Sequence, residues 1–355
     1  MATDVSDRLQ NLRACMDRGG GQAVLYLATL KTDGGEDQEV ALRVYGERDV
    51  HFAAAARKYL EAAFPRWSLV DHPNLAPILG VVVKKRFFLP PIVVPYYTRG
   101  TLWSHIVRQR KTSLSQDDIS ERLLWCLEIA RAIEYLHTLD PPIIHSDLRC
   151  ANIFLDNDGH VRVSEYGLMA TLPADAPEHI WAPRSAGHAL YRWMAPESMT
   201  TKLSPNRVDP PTGYSLATDV WAFGMTVLEI FTARSPYAQD VTDKDGTHPQ
   251  AKGDIEVYKL IPAGVLPPLT GFLGDTPAMR NLLLRCWSRN PKKRPSMSEV
   301  RRALERLNGI EPADHDPPPA VESYLLAIFR TVISGSYAKL RDMFGFFYRL
   351  FRWPV

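Results

Sequence analysis

Cysteine is scarce in this chain. Cys15, Cys126, Cys150 and Cys286 are the only four in 355 residues, and no two form a C-x-x-C pair. That spacing offers neither a zinc knuckle nor a disulfide framework, so reduced thiols in a cytosolic protein are expected. No sign of charge is in excess either. Forty-two Lys and Arg face 40 Asp and Glu, a formal balance of +2. Without a basic field, nucleic acid is not an expected partner. No apolar run nears the ~18 residues of a membrane span. The opening "MATDVSDRLQNLRACMDRGGG" has mixed charge and no apolar core, so a secretory leader is not expected. Apolar residues reach 45% and charged residues 23%, which argues against disorder and for one large domain or two lobes.

The order of elements is legible. "AVLYLATL" and "QEVALRVYG" are β-rich and flank the turn "KTDGGEDQ". "VHFAAAARKYLEAAF" is alanine-rich and reads as a helix that Pro65 interrupts. "APILGVVV" and "RFFLPPIVVPYY" read as further strands. Helical patterns then dominate: "DISERLLWCLEIARAIEYLHTL", closed by Asp140-Pro141-Pro142, then "SLATDVWAFGMTVLEIFTA", "PAMRNLLLRCWSRN" and "MSEVRRALERLN". A small β-rich lobe before a larger helical lobe is an α+β arrangement. The expected boundaries are an N-terminal segment at 1–18, a small lobe at 19–95, a hinge and large lobe at 96–308, a Pro/Asp linker at 309–320 and a tail at 321–355.

The chemistry gathers in "IIHSDLRCANIFLDNDGHVRVSEYG", residues 143–167. Asp147 stands five residues before Asn152, and Glu165 follows thirteen later, just before a Tyr-Gly turn. A carboxylate to orient a hydroxyl, with amide and acid oxygens for a hard cation, are parts that phosphoryl transfer needs. The bland alternative for the string alone is any strand-end loop.

Other segments raise the stakes. "HPNLAPILG", "HSDLRCANIFL", "SEYG", "YRWMAPE", "TDVWAFGMTVLEIFT" and "RCWSRNPKKRPSMSEV" follow one another in order. Together they resemble the motifs of the protein kinase superfamily, in its tyrosine-kinase-like group, over about residues 20–308. The resemblance implies a bilobal protein-kinase-like fold, a small β-rich N-lobe, a larger helical C-lobe and, beyond it, an amphipathic helical tail. It also implies ATP and Mg²⁺ as cofactors and a protein as substrate or partner. Asp147 falls on the catalytic-base position and Arg149 on one that reaches the transferred phosphate. Asn152 and Glu165 fall on metal-ligand positions. Asp219 falls on the anchor of the catalytic loop, and Arg294 is the expected partner of Glu197. The adenine site would comprise Leu25 and Ala41 above, Phe154 below, and Pro95 and Tyr97 at the hinge, with Val94 as gatekeeper.

The chain also departs from the pattern. Arg43 replaces the strand lysine on the nucleotide phosphates, and Arg lacks the compact ammonium geometry. The helix glutamate that would orient it falls on Ala63. Glu61 is two residues away, about 200° around a helix, and is expected to point elsewhere. Glu165 replaces an Asp and adds a methylene. Ser146 replaces an Arg that reads a phosphorylated activation segment, in which Thr171 and Ser185 are hydroxyls open to modification. Gly19 to Gly21 stand in for the glycine-rich loop, with Ala23 at its last glycine.

These departures favour a pseudokinase, a signalling scaffold that still binds nucleotide. The rival reading is an active Ser/Thr or Tyr kinase using Asp147, Asn152 and Glu165. A third is a membrane-tethered adaptor. The tail at 321–355 is basic and aromatic, with Phe344, Phe346, Phe347, Tyr348, Phe351 and Trp353, which suits peripheral membrane contact. The alternative for the tail is a helix docked on the lobe or on a partner. The expected location is cytoplasmic, peripheral to a membrane if the tail binds one.

Overall fold

The computed structural model describes residues 4–14, 23–32, 35–45, 50–83, 90–171, 190–202, 213–238, 241–242, 249–250 and 254–311. Gly19 to Gly21, Ser185, the tail at 321–355 and the side chain of Arg43 lie outside the described part.

Five antiparallel strands build the small lobe: β1 (Leu9–Ala14), β2 (Ala23–Leu30), β3 (Gln38–Tyr45), β4 (Gly80–Val81) and β5 (Ile92–Pro95), in the order β1-β2-β3-β5-β4. The alternation in "AVLYLATL" and "QEVALRVY" sets the faces. Leu25 pairs with Arg43, Leu27 with Ala41 and Ala41 with Val94. Leu25, Leu27, Ala41 and Val94 share the large core, which runs on into the helical lobe. Ala28, Leu30, Val40, Leu42 and Val93 form a second core on the other face, closed by the fully buried Val5. Val5 N–H donates to the Val81 carbonyl at 3.0 Å, so the chain straps this face before β1 begins. The sheet therefore starts ahead of the expected boundary at 19.

The first helix corrects an expectation. Pro65 does not interrupt it: α1 runs unbroken over Val50–Trp67 with Pro65 inside. The proline sits in the last turn, where one lost hydrogen bond leaves a carbonyl on exposed Glu61 that water can reach. Leu60, Phe64 and Trp67, at helical spacing, hold that turn down through buried contacts. Burying a side chain of this size is worth roughly 1.5–3 kcal/mol, comparable to the proline's cost of about 3 kcal/mol.

The large lobe is helical. Its members are α2 (Leu102–Arg108), α3 (Gln116–Thr138), a β6–β7 hairpin (Ile153–Leu155, Val161–Val163), α4 (Leu168–Thr171), α5 (Pro196–Lys202) and α6 (Leu216–Thr232). The last are α7 (Asp254–Leu260), α8 (Phe272–Asp275), α9 (Pro277–Cys286) and α10 (Met297–Leu307). Reciprocal capping boxes start α3 (Ser115 and Asp118), α6 (Ser215 and Thr218) and α10 (Ser296 and Glu299). All residues of α6 from Thr218 to Phe231 are buried, which makes it the axis of the lobe. A side chain at Gly224 would lie 2.5 Å from the Trp287 indole nitrogen, so the glycine lets that ring close on the axis. α10 packs along α3 through Arg301, which binds Glu134 at 2.6 Å and Glu305 at 2.7 Å.

Candidate active site

The loop at 145–152 hangs from α6. Asp219, 1% exposed, accepts the His145 N–H at 2.7 Å and the Ser146 N–H at 2.9 Å. His137 Nε2 also lies 2.8 Å from its carboxylate. Ser146 takes a left-handed conformation (φ +69°), and two main-chain donors on one buried acid hold a residue that would otherwise avoid it. His145 is fully buried, and burial pushes its pKa down.

Asp147 and Asn152 meet across the loop. Asn152 Nδ2 donates to the Asp147 carbonyl and to its carboxylate, both at 2.8 Å. Both amide protons are thereby spent, which fixes the direction of the other amide atom. Asn152 Oδ1 is buried and accepts no hydrogen bond among the described residues. A buried, unpartnered amide oxygen suits a hard divalent cation. The Ser164 N–H donates to the Asn152 carbonyl at 2.9 Å, tying the strand that ends at Glu165 to the same place. Glu165 is half-buried at φ +63° and lines a small cavity with Val94, Ile78, Tyr166 and Leu168. The donor set of amide and carboxylate oxygens fits Mg²⁺ in kind.

Arg149 turns inward. Its Nε lies 3.1 Å from Asp147 Oδ1, and its guanidinium sits 5.6 Å from the centre of the Trp193 ring. Both partners of the ion pair are under 10% exposed. The Tyr-Gly turn is buried as well. The Tyr166 hydroxyl donates to the Ala76 carbonyl at 3.2 Å, and burial raises its pKa. Gly167 is left-handed (φ +79°), and a side chain there would meet the Trp67 indole nitrogen of α1 at 2.9 Å. The Ser146 hydroxyl then accepts the Ala170 N–H at 3.1 Å, so the residue that replaces an arginine holds the start of α4.

Above the loop, Ala41 and Val94 are buried and Leu25 half-buried on the cleft face of the sheet, with Phe154 buried below. Tyr97 stacks on Phe154 at 5.4 Å between centroids, and burial lifts its hydroxyl to about 12. Its N–H meets no acceptor among the described residues. Pro95 costs the sheet nothing. Tyr96 N–H donates to the Glu39 carbonyl at 3.2 Å, so alternation puts Pro95, opposite Val40, at a non-hydrogen-bonded position. Glu61 is exposed and lies 3.7 Å from Arg57 on the outer face of α1, while Ala63 packs against the core. At the far end, Arg294 grips Glu197 through two bonds of 2.6 and 2.9 Å and caps Trp221.

A sequence profile of the family described as protein tyrosine and serine/threonine kinase matches residues 18–304. The chain belongs to this kinase family. Serine/threonine/tyrosine-protein kinase HT1 of Arabidopsis thaliana is 29% identical over 241 residues, 68% of this chain and 53% of that protein. Serine/threonine-protein kinase TNNI3K of Homo sapiens is 31% identical over 236 residues, 66% of this chain and 25% of that protein. Tyrosine-protein kinase receptor TYRO3 of Gallus gallus is 28% identical over 289 residues, 79% and 29% of the two lengths. The kinase domain thus has tyrosine-kinase-like affinity and spans about half of HT1 or less than a third of the other two.

Sequence reasoning missed two members of the site. Glu229 and Trp193 lie beneath Arg149, and neither was singled out. The signal for Glu229 was a lone acid inside the apolar run "TVLEIF", where an ionisable side chain is buried only with partners.

Proposed function

We propose that this kinase domain acts in signalling as a pseudokinase: it binds ATP between its lobes and transfers phosphate weakly or not at all. The observation that carries the reading is α1. Glu61 is the only acid between 50 and 67, and it pairs outward with Arg57. The position expected to supply a carboxylate to Arg43 is Ala63, which has none to offer. Losing one positioned electrostatic partner typically costs about 3–4 kcal/mol, a factor of ~10²–10³ in rate. Arg43, Ala63, Glu165 and Ser146 are four changes to one apparatus.

Adenine would lie between Leu25, Ala41 and Phe154, with the Pro95 carbonyl and Tyr97 N–H as its hinge partners. Mg²⁺ would be held by Asn152 and Glu165 and would supply charge neutralisation on the phosphates. Asp147 would orient an incoming hydroxyl, its carboxylate steadied by Asn152 and Arg149. Protein is the expected partner and the cytoplasm the expected location.

One observation favours a second reading, an active Ser/Thr or Tyr kinase. Asp147 and Asn152 are intact and mutually bonded, and the relatives carry kinase names. Two assays on the full chain separate the readings. ATP should raise the thermal midpoint with or without Mg²⁺, and phosphate transfer should not depend on Asp147. Transfer that vanishes in Asp147→Ala would overturn the pseudokinase reading. The adaptor alternative rests on residues 321–355, and failure of the full chain to co-sediment with anionic vesicles would remove it.

A further inference from the structure

Glu229 is the one acid in α6 that the kinase chemistry above does not use. It is 2% exposed, in the last turn of the helix, between the apolar Leu228 and Ile230. Its Oε2 atom accepts two hydrogen bonds, from the Cys150 N–H at 2.9 Å and from the Trp193 indole N–H at 2.8 Å. The first donor is backbone of the catalytic loop. The second belongs to "YRWMAPE", the segment leading to Glu197. These segments are more than forty residues apart in sequence, and one oxygen atom holds both.

The two branches meet again at Arg149. This residue directly precedes Cys150 in the chain, and its guanidinium lies over the face of the same Trp193 ring. Arg149 in turn holds Asp147. Glu229 therefore fixes Arg149 from both sides, through the backbone and through the indole. Burial pushes the Glu229 carboxyl up to about 7, the direction expected where an apolar helix pays no charge any favour. A leucine would fill such a place more cheaply, so the polar atom has a task that volume alone does not explain.

We infer that Glu229 is a positioning residue that couples the catalytic loop to the Leu190–Glu197 segment and sets Arg149, and through it Asp147. A protein that engages Leu190–Glu197 is then felt at Asp147 and Asn152 without touching the cleft. The coupling is a property of the folded lobe and holds whether or not phosphate is transferred.

Hydrogen exchange of the full chain tests it, read by mass spectrometry for backbone peptides and by ¹⁵N-indole signals for Trp193. In Glu229→Leu, exchange at Cys150 and at the Trp193 indole should both quicken tenfold or more, with α10 changed less than twofold. In Glu229→Gln, which keeps an acceptor of the same reach, both should stay within about threefold of the parent. Trp193→Phe keeps a ring under Arg149 but has no N–H, and it should quicken Cys150 exchange at least threefold. Protection unchanged in Glu229→Leu, only one of the two segments quickening, or Gln behaving like Leu would overturn the coupling. If Glu229→Leu does not fold, Trp193→Phe decides alone: unchanged exchange at Cys150 contradicts the inference.

Discussion

The floor and the roof of the cleft are built to different standards. The floor is suspended from α6 by two buried acids, Asp219 and Glu229, and Asp147 and Asn152 are hydrogen-bonded to each other. The roof carries Leu25, Ala41 and Arg43 on a sound sheet, but the helix beside it turns its only acid to solvent. The two halves therefore differ in what holds their polar groups. A buried network cannot lose one member cheaply, because the rest is left unpaired in low dielectric. An exposed pair such as Glu61 and Arg57 can come and go at little cost. Substitutions in the roof should therefore leave the fold intact, and substitutions among the buried acids of the floor should not.

Four substitutions sharpen that contrast, from the largest effect to the smallest. Asp219→Ala should destabilise the domain by about 3–5 kcal/mol, since two main-chain donors lose their buried acceptor. Denaturant unfolding would show it. Second comes a pH effect. The Glu229 acid constant is raised from 4.5 to about 7, chiefly by burial and against the pull of Cys150, Trp193 and Arg149. The folded state then holds more protons than the unfolded one between those values, so this group's contribution to stability falls as pH rises from 4.5 to 7. Glu229→Gln should match the parent near pH 4.5 and exceed it by at most about 3 kcal/mol above pH 7. Melting curves of the two proteins across that window check the sign. Third, Gly224→Ala should cost about 1–3 kcal/mol by driving Trp287 off the helix axis. Last, Glu61→Ala should change stability and nucleotide binding by less than about 0.5 kcal/mol. A large effect there would mean that α1 uses this acid after all, and the roof would need a different account.

Much of the fold was legible in the sequence, for a physical reason. The floor is encoded by short strings that meet one another: Asp147 bonds Asn152 within one string, while Glu197 with Arg294 and the loop with Asp219 join strings far apart in the chain. What stayed hidden lacked periodicity or hid inside it. β1 was missed because "LQNLRA" does not alternate. A bulge between Gln10 and Arg13, with Asn11 left-handed at φ +55°, breaks the period of two. Pro65 reads as a break because a proline here loses its N–H bond and crowds the carbonyl four residues back, a cost that the buried Leu60, Phe64 and Trp67 offset. Tyr97 was read for its backbone alone, and its ring proved to lie on Phe154. Glu229 was absorbed into the hydrophobic stripe of α6, where helical spacing gives no hint of a polar partner brought in from elsewhere.

The central claim is that Arg43 and Ala63 in the roof limit this kinase domain more than Glu165 and Ser146 do in the floor, where Asp147 and Asn152 are kept. The direct test is to repair the roof: Arg43→Lys together with Ala63→Glu, with Mg²⁺-ATP turnover measured against the parent and against the same pair carrying Asp147→Ala. The account predicts a gain of about 10² or more for the pair, little for either change alone, and loss of the gain without Asp147. A correctly folded double variant that still binds ATP yet transfers no more phosphate than the parent would contradict it, and the fault would then lie in the floor.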